Sequence, residues 1–390
     1  MKKSVILNSK GETSVVRYHH PWVYRSSVSG TDGNPENGDI VRIVNSSGRV
    51  LGWGFFSERS LIPVRVFAIG EDEPEGDWLE RRLERAALLR RELRIDSDAY
   101  RLVNGEGDFI PGLIVDVYGN TVVVKPQIRG TELLIDRVRV WLESFYPHKS
   151  IFLKRDERAA RVEMMECRTG YIKGEGDGRE VITETGLQFH VDLKEGQKTG
   201  FYLDQRESRS LAGMLSQGKR VLNLFSYTGA FSLYASRGNA KLVDSIEHSK
   251  AAIELARKNE ELNREKLSCA LNWIQGDVFD FLSDMSGYDF IIVDPPPFAR
   301  KRGELKGAIH GYERLNLAVI RATEPGGYLM TFSCSQAVEV SLFREIIMKQ
   351  ALRAERNVTL LKELFASPDH TVSVYHPEGS YLKGFLLKIW

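Results

Sequence analysis

Only three cysteines occur in the 390 residues, Cys167, Cys269 and Cys334, and no pair has CxxC spacing. This argues against both a disulfide framework and a zinc cluster, so no metal is expected and a reducing cytoplasm is. No apolar run approaches the roughly 20 residues that cross a bilayer, so no membrane partner is expected. The opening MKKSVILNSKGETS has two lysines but neither a long apolar core nor a small-residue cleavage site, and does not read as a signal peptide. An excess of charge is also missing: 54 basic and 53 acidic residues leave +1. Overall basicity therefore gives no sign of nucleic acid, and an RNA-binding surface has to come from local segregation of charge.

What is present is a soluble globular composition, 42% hydrophobic and 27% charged, in a chain too long for one core. Short β signals crowd residues 1–70, as in DIVRIVNSSGRVLGWGFF, and predict a small β-barrel. The acidic EDEPEGD, 71–77, marks a boundary. Helical periodicity follows over 78–93 and 131–145, with strand-like runs at 113–117, 121–126 and 150–154 and a hairpin at 181–193. After about residue 206 strands and helices alternate: strands at 220–225, 241–247, 288–294 and 328–333, and a helix at 336–350. That order predicts a parallel, doubly wound sheet, closed by an antiparallel pair, VTLLKELF and LKGFLLKIW. The expected division is 1–72, β-barrel; 73–195, central α+β domain; and 196–390, Rossmann-like α/β domain.

Ligands of such sheets sit outside the carboxyl ends of the strands. The first strand ends NLFSYTGAFS, where Gly229 opens a helix. The G-x-G-x-x-G fingerprint is absent, which disfavours a bound pyrophosphate. The second strand ends in Glu247, a carboxylate suited to two ribose hydroxyls or to capping a helix. The third leads to Asp277, suited to an adenine amino group or again to a cap, with Val278 or Phe279 beside it. Adenine and ribose without pyrophosphate point to S-adenosylmethionine.

The fourth strand ends VDPPPFAR, where prolines fix Asp294 and Phe298 can stack on a flat substrate. The fifth ends at Cys334. The usual strand order sets these two ends side by side, so Asp294 and Cys334 are expected to face one pocket. Ring nitrogens and amines already carry a lone pair for a methyl group. Carbon 5 of a pyrimidine needs a thiolate added at carbon 6 first, and a base to take the carbon 5 proton afterwards. Cys334 is the candidate nucleophile and Asp294 the candidate partner of the base. The bland alternative for Cys334 is a small buried thiol. Cys167 lies outside the cofactor half, and Cys269 precedes its strand.

QKTGFYLDQR (197–206), NLFSYTGAFS, DPPPFAR and SCS together resemble the bacterial large-subunit ribosomal RNA cytosine-carbon-5 methyltransferases, as does HHPWVYRSSV (19–28) at the start. The resemblance covers essentially the whole chain. It implies a PUA-like RNA-binding domain at the N-terminus, a central α+β domain and a class I methyltransferase domain forming 5-methylcytosine in 23S ribosomal RNA. It also implies a covalent adduct to Cys334. The implied cofactor contacts lie near Phe225, Thr228, Gly229, Glu247, Asp277 and Asp294, with Asn223, Tyr227 and Val278 beside them. Phe201, Asp204 and Arg206 of the GFYLDQR stretch join them. Other RNA cytosine methyltransferases carry a second cysteine in the fourth-strand motif; DPPPF has none, which leaves the proton-removing base open. The family also allows a homodimer.

For the RNA, Arg300, Lys301 and Arg302 follow the catalytic motif in ARKRGELKG and are expected to contact phosphate, as a mobile lid or as an ordinary solvated loop. His19, His20, Trp22 and Tyr24 can stack bases, or Trp22 can pack in the barrel. Two other readings stay open: methylation of an exocyclic guanine amine, and a noncatalytic RNA-binding protein.

Overall fold

The computed structural model describes residues 3–283, 285–298 and 302–390, with Arg302 described by its backbone alone. The chain forms two compact units. One comprises Met1–Ile182, Val191–Leu203 and Pro368–Gly379; the other comprises Thr183–His190, Asp204–Ser367 and Ser380–Trp390.

The first unit holds two sheets. Strands β1 (Ser4–Leu7), β2 (Trp22–Val23), β3 (Val28–Asp32), β4 (Ile40–Val44), β5 (Val50–Phe56) and β6 (Val64–Ile69) form a curled sheet in the order β2-β6-β5-β4-β1-β3. Alternation in IVRIV sends Val41 and Ile43 inward, where they meet Val5, Leu7, Val64 and Val66. Strands β7 (Ala99–Asn104), β8 (Leu113–Tyr118), β9 (Thr121–Pro126), β10 (Ser150–Leu153) and β11 (Gly170–Lys173) form the second sheet in the order β11-β10-β9-β8-β7. The helix Trp78–Glu92 buries Trp78, Leu79, Leu83, Ala86 and Ala87, which join the core cluster of this sheet.

Strand β7 had no sequence signal. Arg101 interrupts its apolar pattern, and the structure explains why it is tolerated. Its guanidinium donates to both oxygens of the fully buried Asp116, at 2.8 and 2.9 Å. The expected helix at 131–145 divides into Arg129–Glu132 and Ile135–Phe145.

After β11 in the chain comes a separate two-stranded hairpin, β12 (Arg179–Glu184) and β13 (Leu187–Asp192). The second unit is built on β14 (Arg220–Leu224), β15 (Leu242–Glu247), β16 (Leu271–Gln275), β17 (Tyr288–Val293), β18 (Thr323–Ser333), β19 (Val358–Leu364) and β20 (Lys383–Ile389). Their order is β16-β15-β14-β17-β18-β20-β19. The first five are parallel, and β20 runs antiparallel to both β18 and β19. Phe290 to Val293 of β17 are fully buried, as expected of a strand covered on both faces. The chain moves outward from β14 through β15 and β16, then returns to β17 on the other side. That reversal between β14 and β17 is a topological switch point, and it places the ligand crevice. The helix after β18 starts at Val340 instead of 336, because Ser335–Val338 forms a turn first. Among the described residues, no helix is long and apolar enough to cross a membrane.

Candidate active site

The loop after β14 is strained. Phe225 and Tyr227 adopt φ of 59° and 47°, in the left-handed region that side chains disfavour, and Gly229 follows at 79°. The carboxylate of Glu247, at the end of β15, holds this loop. Its Oε2 accepts the Tyr227 amide at 2.9 Å, and its Oε1 accepts the Ser249 amide at 2.8 Å. Glu247 thus joins the loops after two neighbouring strands, and it stays half-buried, with lone pairs left over. Gly229 is required twice over: its φ is positive, and a Cβ there would lie 2.3 Å from the Trp273 ring.

Ser226 Oγ, Thr228 Oγ1 and Gln205 Oε1 are buried and have no hydrogen-bond partner among the described residues. Ser226, Thr228 and Gln205 are at most 6% exposed. Buried polar atoms are normally paired, so this group fits a polar ligand that would complete them. Asp277 is exposed at the end of the third strand; its Oδ1 caps the following turn through the Phe279 amide at 2.9 Å. Val278 is buried behind it. Asn223, on β14, donates from its amide to Ser232 Oγ on the helix Ala230–Arg237 at 2.8 Å.

The motif stretch before this region is distributed over both units. Phe201 is buried in the first. Asp204 and Arg206 are buried in the second, where Asp204 Oδ2 accepts the Tyr381 hydroxyl at 2.6 Å.

Asp294 follows β17 and Cys334 follows β18, and Val293 pairs with Thr331 in the parallel ladder. The Cys334 Sγ lies 3.7 Å from the Pro295 carbonyl oxygen, so the two strand ends do meet. Gln205 Nε2 donates to Asp294 Oδ2 at 2.9 Å. Tyr312, on the helix Leu305–Ala322, bonds to Ser333 Oγ at 2.9 Å and Ser335 Oγ at 3.0 Å, bracketing Cys334 in sequence. Burial pushes the Tyr312 hydroxyl up to about 12, so it stays protonated and can donate. Aromatic rings continue from Tyr312 to Phe298 (4.7 Å between centroids), Phe279 (6.0 Å) and Phe225 (6.4 Å). These rings pack against the hydrophobic core of this sheet. Of the basic residues expected near RNA, Arg300 and Lys301 lie outside the described residues. Arg302 begins the short turn Arg302–Glu304.

In the first unit, the indole of Trp22 is held by its neighbours. Its Nε1 donates to Glu106 at 2.6 Å, His376 lies 4.3 Å away and Arg65 5.1 Å. His20 faces Glu378 at 3.2 Å.

The sequence reading passes over Gln205 and Tyr312. Gln205 falls within QKTGFYLDQR, and membership of that motif is its signal. Tyr312 has none, because it lies inside a helix, away from the strand ends that the sequence marks.

The sheet order and the crevice at its switch point define a class I methyltransferase carrying a PUA-like domain. The S-adenosylmethionine-dependent methyltransferase family matches residues 160–371, more than half of the chain, and a PUA-like domain matches 5–68. The chain belongs to the family of the ribosomal RNA large subunit methyltransferases I, and its cofactor is S-adenosylmethionine. The family member from Tolumonas auensis is 38% identical over 397 residues, covering 100% of both chains. That from Aeromonas salmonicida is 38% identical over 387 residues, covering 97% of this chain and 98% of its own. In fold, the chain is similar to a Streptococcus mutans protein described as a SAM-dependent methyltransferase, with a TM-score of 0.84, 24% identity and full coverage of both chains.

Proposed function

We propose that this protein methylates carbon 5 of a cytosine in large-subunit 23S ribosomal RNA, through a covalent bond to Cys334. The observation that carries the reading is the meeting of two strand ends, with Cys334 Sγ 3.7 Å from the carbonyl of the residue after Asp294. Identity of 38% along the whole chain to proteins named as large-subunit ribosomal RNA methyltransferases supports the RNA. The three-part division 1–72, 73–195 and 196–390 is kept as the working domain scheme.

The cofactor would be held by the strained loop Phe225–Gly229 with Ser226 and Thr228, by Glu247 at the ribose and by Asp277 at the adenine. Phe201, Asp204 and Arg206 would border it. S-adenosylmethionine supplies an electrophilic methyl group when bound. Phe298 would hold the cytosine flat beside it by stacking, with Val278 or Phe279 at the adenine. The Cys334 thiolate adds to carbon 6, which makes carbon 5 electron-rich. Once carbon 5 is methylated, a base removes its proton and the bond to sulfur breaks, returning the thiolate. Asp294, held by Gln205, would orient the groups at this step. Arg300, Lys301 and Arg302 are proposed phosphate contacts.

The experiment is incubation of the enzyme and S-adenosylmethionine with ribosomal RNA carrying 5-fluorocytosine. A covalent adduct that disappears in Cys334→Ala is the expected result. Methyl transfer by Cys334→Ala at the wild-type rate would overturn it and favour an exocyclic guanine amine. Failure to bind S-adenosylmethionine in calorimetry would favour a noncatalytic RNA-binding protein.

A further inference from the structure

Lys383 opens β20 and stands opposite Ser333 in the antiparallel ladder with β18. It is 3% exposed. Its Nζ donates one hydrogen bond, to the Ser335 carbonyl at 2.8 Å, and makes no ion pair among the described residues. An ammonium removed from water is costly unless an opposite charge accompanies it. Ser333 and Ser335, which flank Cys334, also hold the Tyr312 hydroxyl from its helix. Cys334 and Asp294 both act on Tyr312. Of the acids, Cys334 is the one whose charge acts on Lys383. Burial lowers the Lys383 ammonium to about 8, close to the ordinary range of a thiol. The Lys383 amine can therefore take up or release a proton near neutral pH, and Cys334 is one residue along the chain from the Ser335 carbonyl that its Nζ meets.

We propose that Lys383 takes the proton of Cys334 and then serves as the counter-charge of the thiolate. This rests on the reading of Cys334 as the nucleophile. The S–H bond breaks, its electron pair stays on sulfur, and the proton binds the lone pair of the neutral Lys383 amine. The thiolate that forms adds to carbon 6 of the base. When the carbon–sulfur bond later breaks, sulfur leaves as a thiolate beside the same ammonium. A buried lysine without a carboxylate partner is thereby explained: its partner is the nucleophile, and the charge pair exists when it is needed.

The test is the pH dependence of Cys334 alkylation by iodoacetamide, without RNA, followed by mass spectrometry of the Cys334 peptide so that Cys167 and Cys269 do not contribute. In the wild-type protein the midpoint is expected below the ordinary thiol value of about 8.5. Lys383→Met is expected to raise it by about one to two pH units, and Lys383→Arg to keep it low, since the arginine supplies the charge. A wild-type midpoint at or above about 8.5, or an unchanged midpoint in a folded Lys383→Met protein, overturns the proposal. The wild-type measurement stands even if Lys383→Met fails to fold. Methyl transfer by Cys334→Ala at full rate instead overturns the nucleophile reading, and with it the catalytic purpose of the pair. An inactive Cys334→Ala together with an unchanged Lys383→Met profile overturns the role of Lys383 alone.

Discussion

Gln205 donates a hydrogen bond from Nε2 to Asp294 Oδ2 at 2.9 Å, while its own Oε1 is buried and has no partner among the described residues. One side chain thus faces the proposed catalytic carboxylate with one end and presents an unfilled acceptor with the other. A hydrogen bond to a charged group contributes roughly 1.5–3 kcal/mol. Gln205→Leu keeps the volume and removes the bond, so kcat for methyl transfer is expected to fall about ten- to hundredfold in a protein with an unchanged melting profile. Steady-state kinetics on ribosomal RNA would check this; a kcat equal to wild type would show that Asp294 needs no such support.

Gly229 is the position where the cofactor loop tolerates least. An added Cβ would meet the Trp273 ring at 2.3 Å, on a backbone with φ of +79°. The indole cannot move freely, because its Nε1 donates to Glu260 at 2.7 Å. Gly229→Ala is expected to cost about 1–3 kcal/mol of stability from strain and overpacking. S-adenosylmethionine affinity should fall with it, by at least about tenfold in calorimetry. Normal affinity in this variant would mean that the cofactor does not use the loop after β14.

The parallel strand ends in the sheet of the second unit were legible in the sequence because parallel strands read as apolar runs and their last residues are punctuated. Glu247, Asp277, Asp294 and Cys334 all follow such runs. What escaped was of two kinds. Strand β7 was hidden because Arg101 occupies a core position, which the carboxylate of Asp116, from β8, helps to make habitable. Lys383 was hidden because its neighbours, Ser333 and Ser335, lie about fifty residues away in sequence and are brought to it by antiparallel pairing. Local pattern carries periodicity, whereas buried charge pairs depend on register between distant strands.

Glu184 and Arg209 illustrate the same point within the second unit. Both are essentially sealed from solvent, and the guanidinium donates to the two carboxylate oxygens at 2.7 Å each. Tyr234 donates to the same carboxylate at 3.0 Å. Glu184→Gln removes the carboxylate bound to Arg209, and breaking a buried pair in this way typically costs about 3–5 kcal/mol. The joint replacement Glu184→Leu with Arg209→Met is expected to recover most of that loss. Urea denaturation of the three proteins would measure it. If the single variant lost under about 1 kcal/mol, the pair would not be the buried, desolvated one described.

Lys154 gives the pH dependence a sign that can be checked. It is 7% exposed, its Nζ donates to the Gly196 carbonyl at 2.7 Å, and burial, with nearby Lys125, lowers its ammonium to about 8. In the unfolded chain the same group keeps its ordinary value near 10.5. Below pH 8 both states are protonated, and the folded state bears the full cost of the buried charge. Between about 8 and 10.5 the folded state releases the proton first, so the unfolded state binds more protons and stability rises with pH. Lys154→Met removes this group. The stability of the wild type relative to Lys154→Met should therefore be lowest below pH 8 and rise across that window, before any constant offset from the lost bond to Gly196. Denaturation curves for both proteins at pH 7, 8, 9 and 10 would read the difference. A difference that stays flat, or moves the other way, would mean that the Lys154 ammonium is not held below its ordinary value.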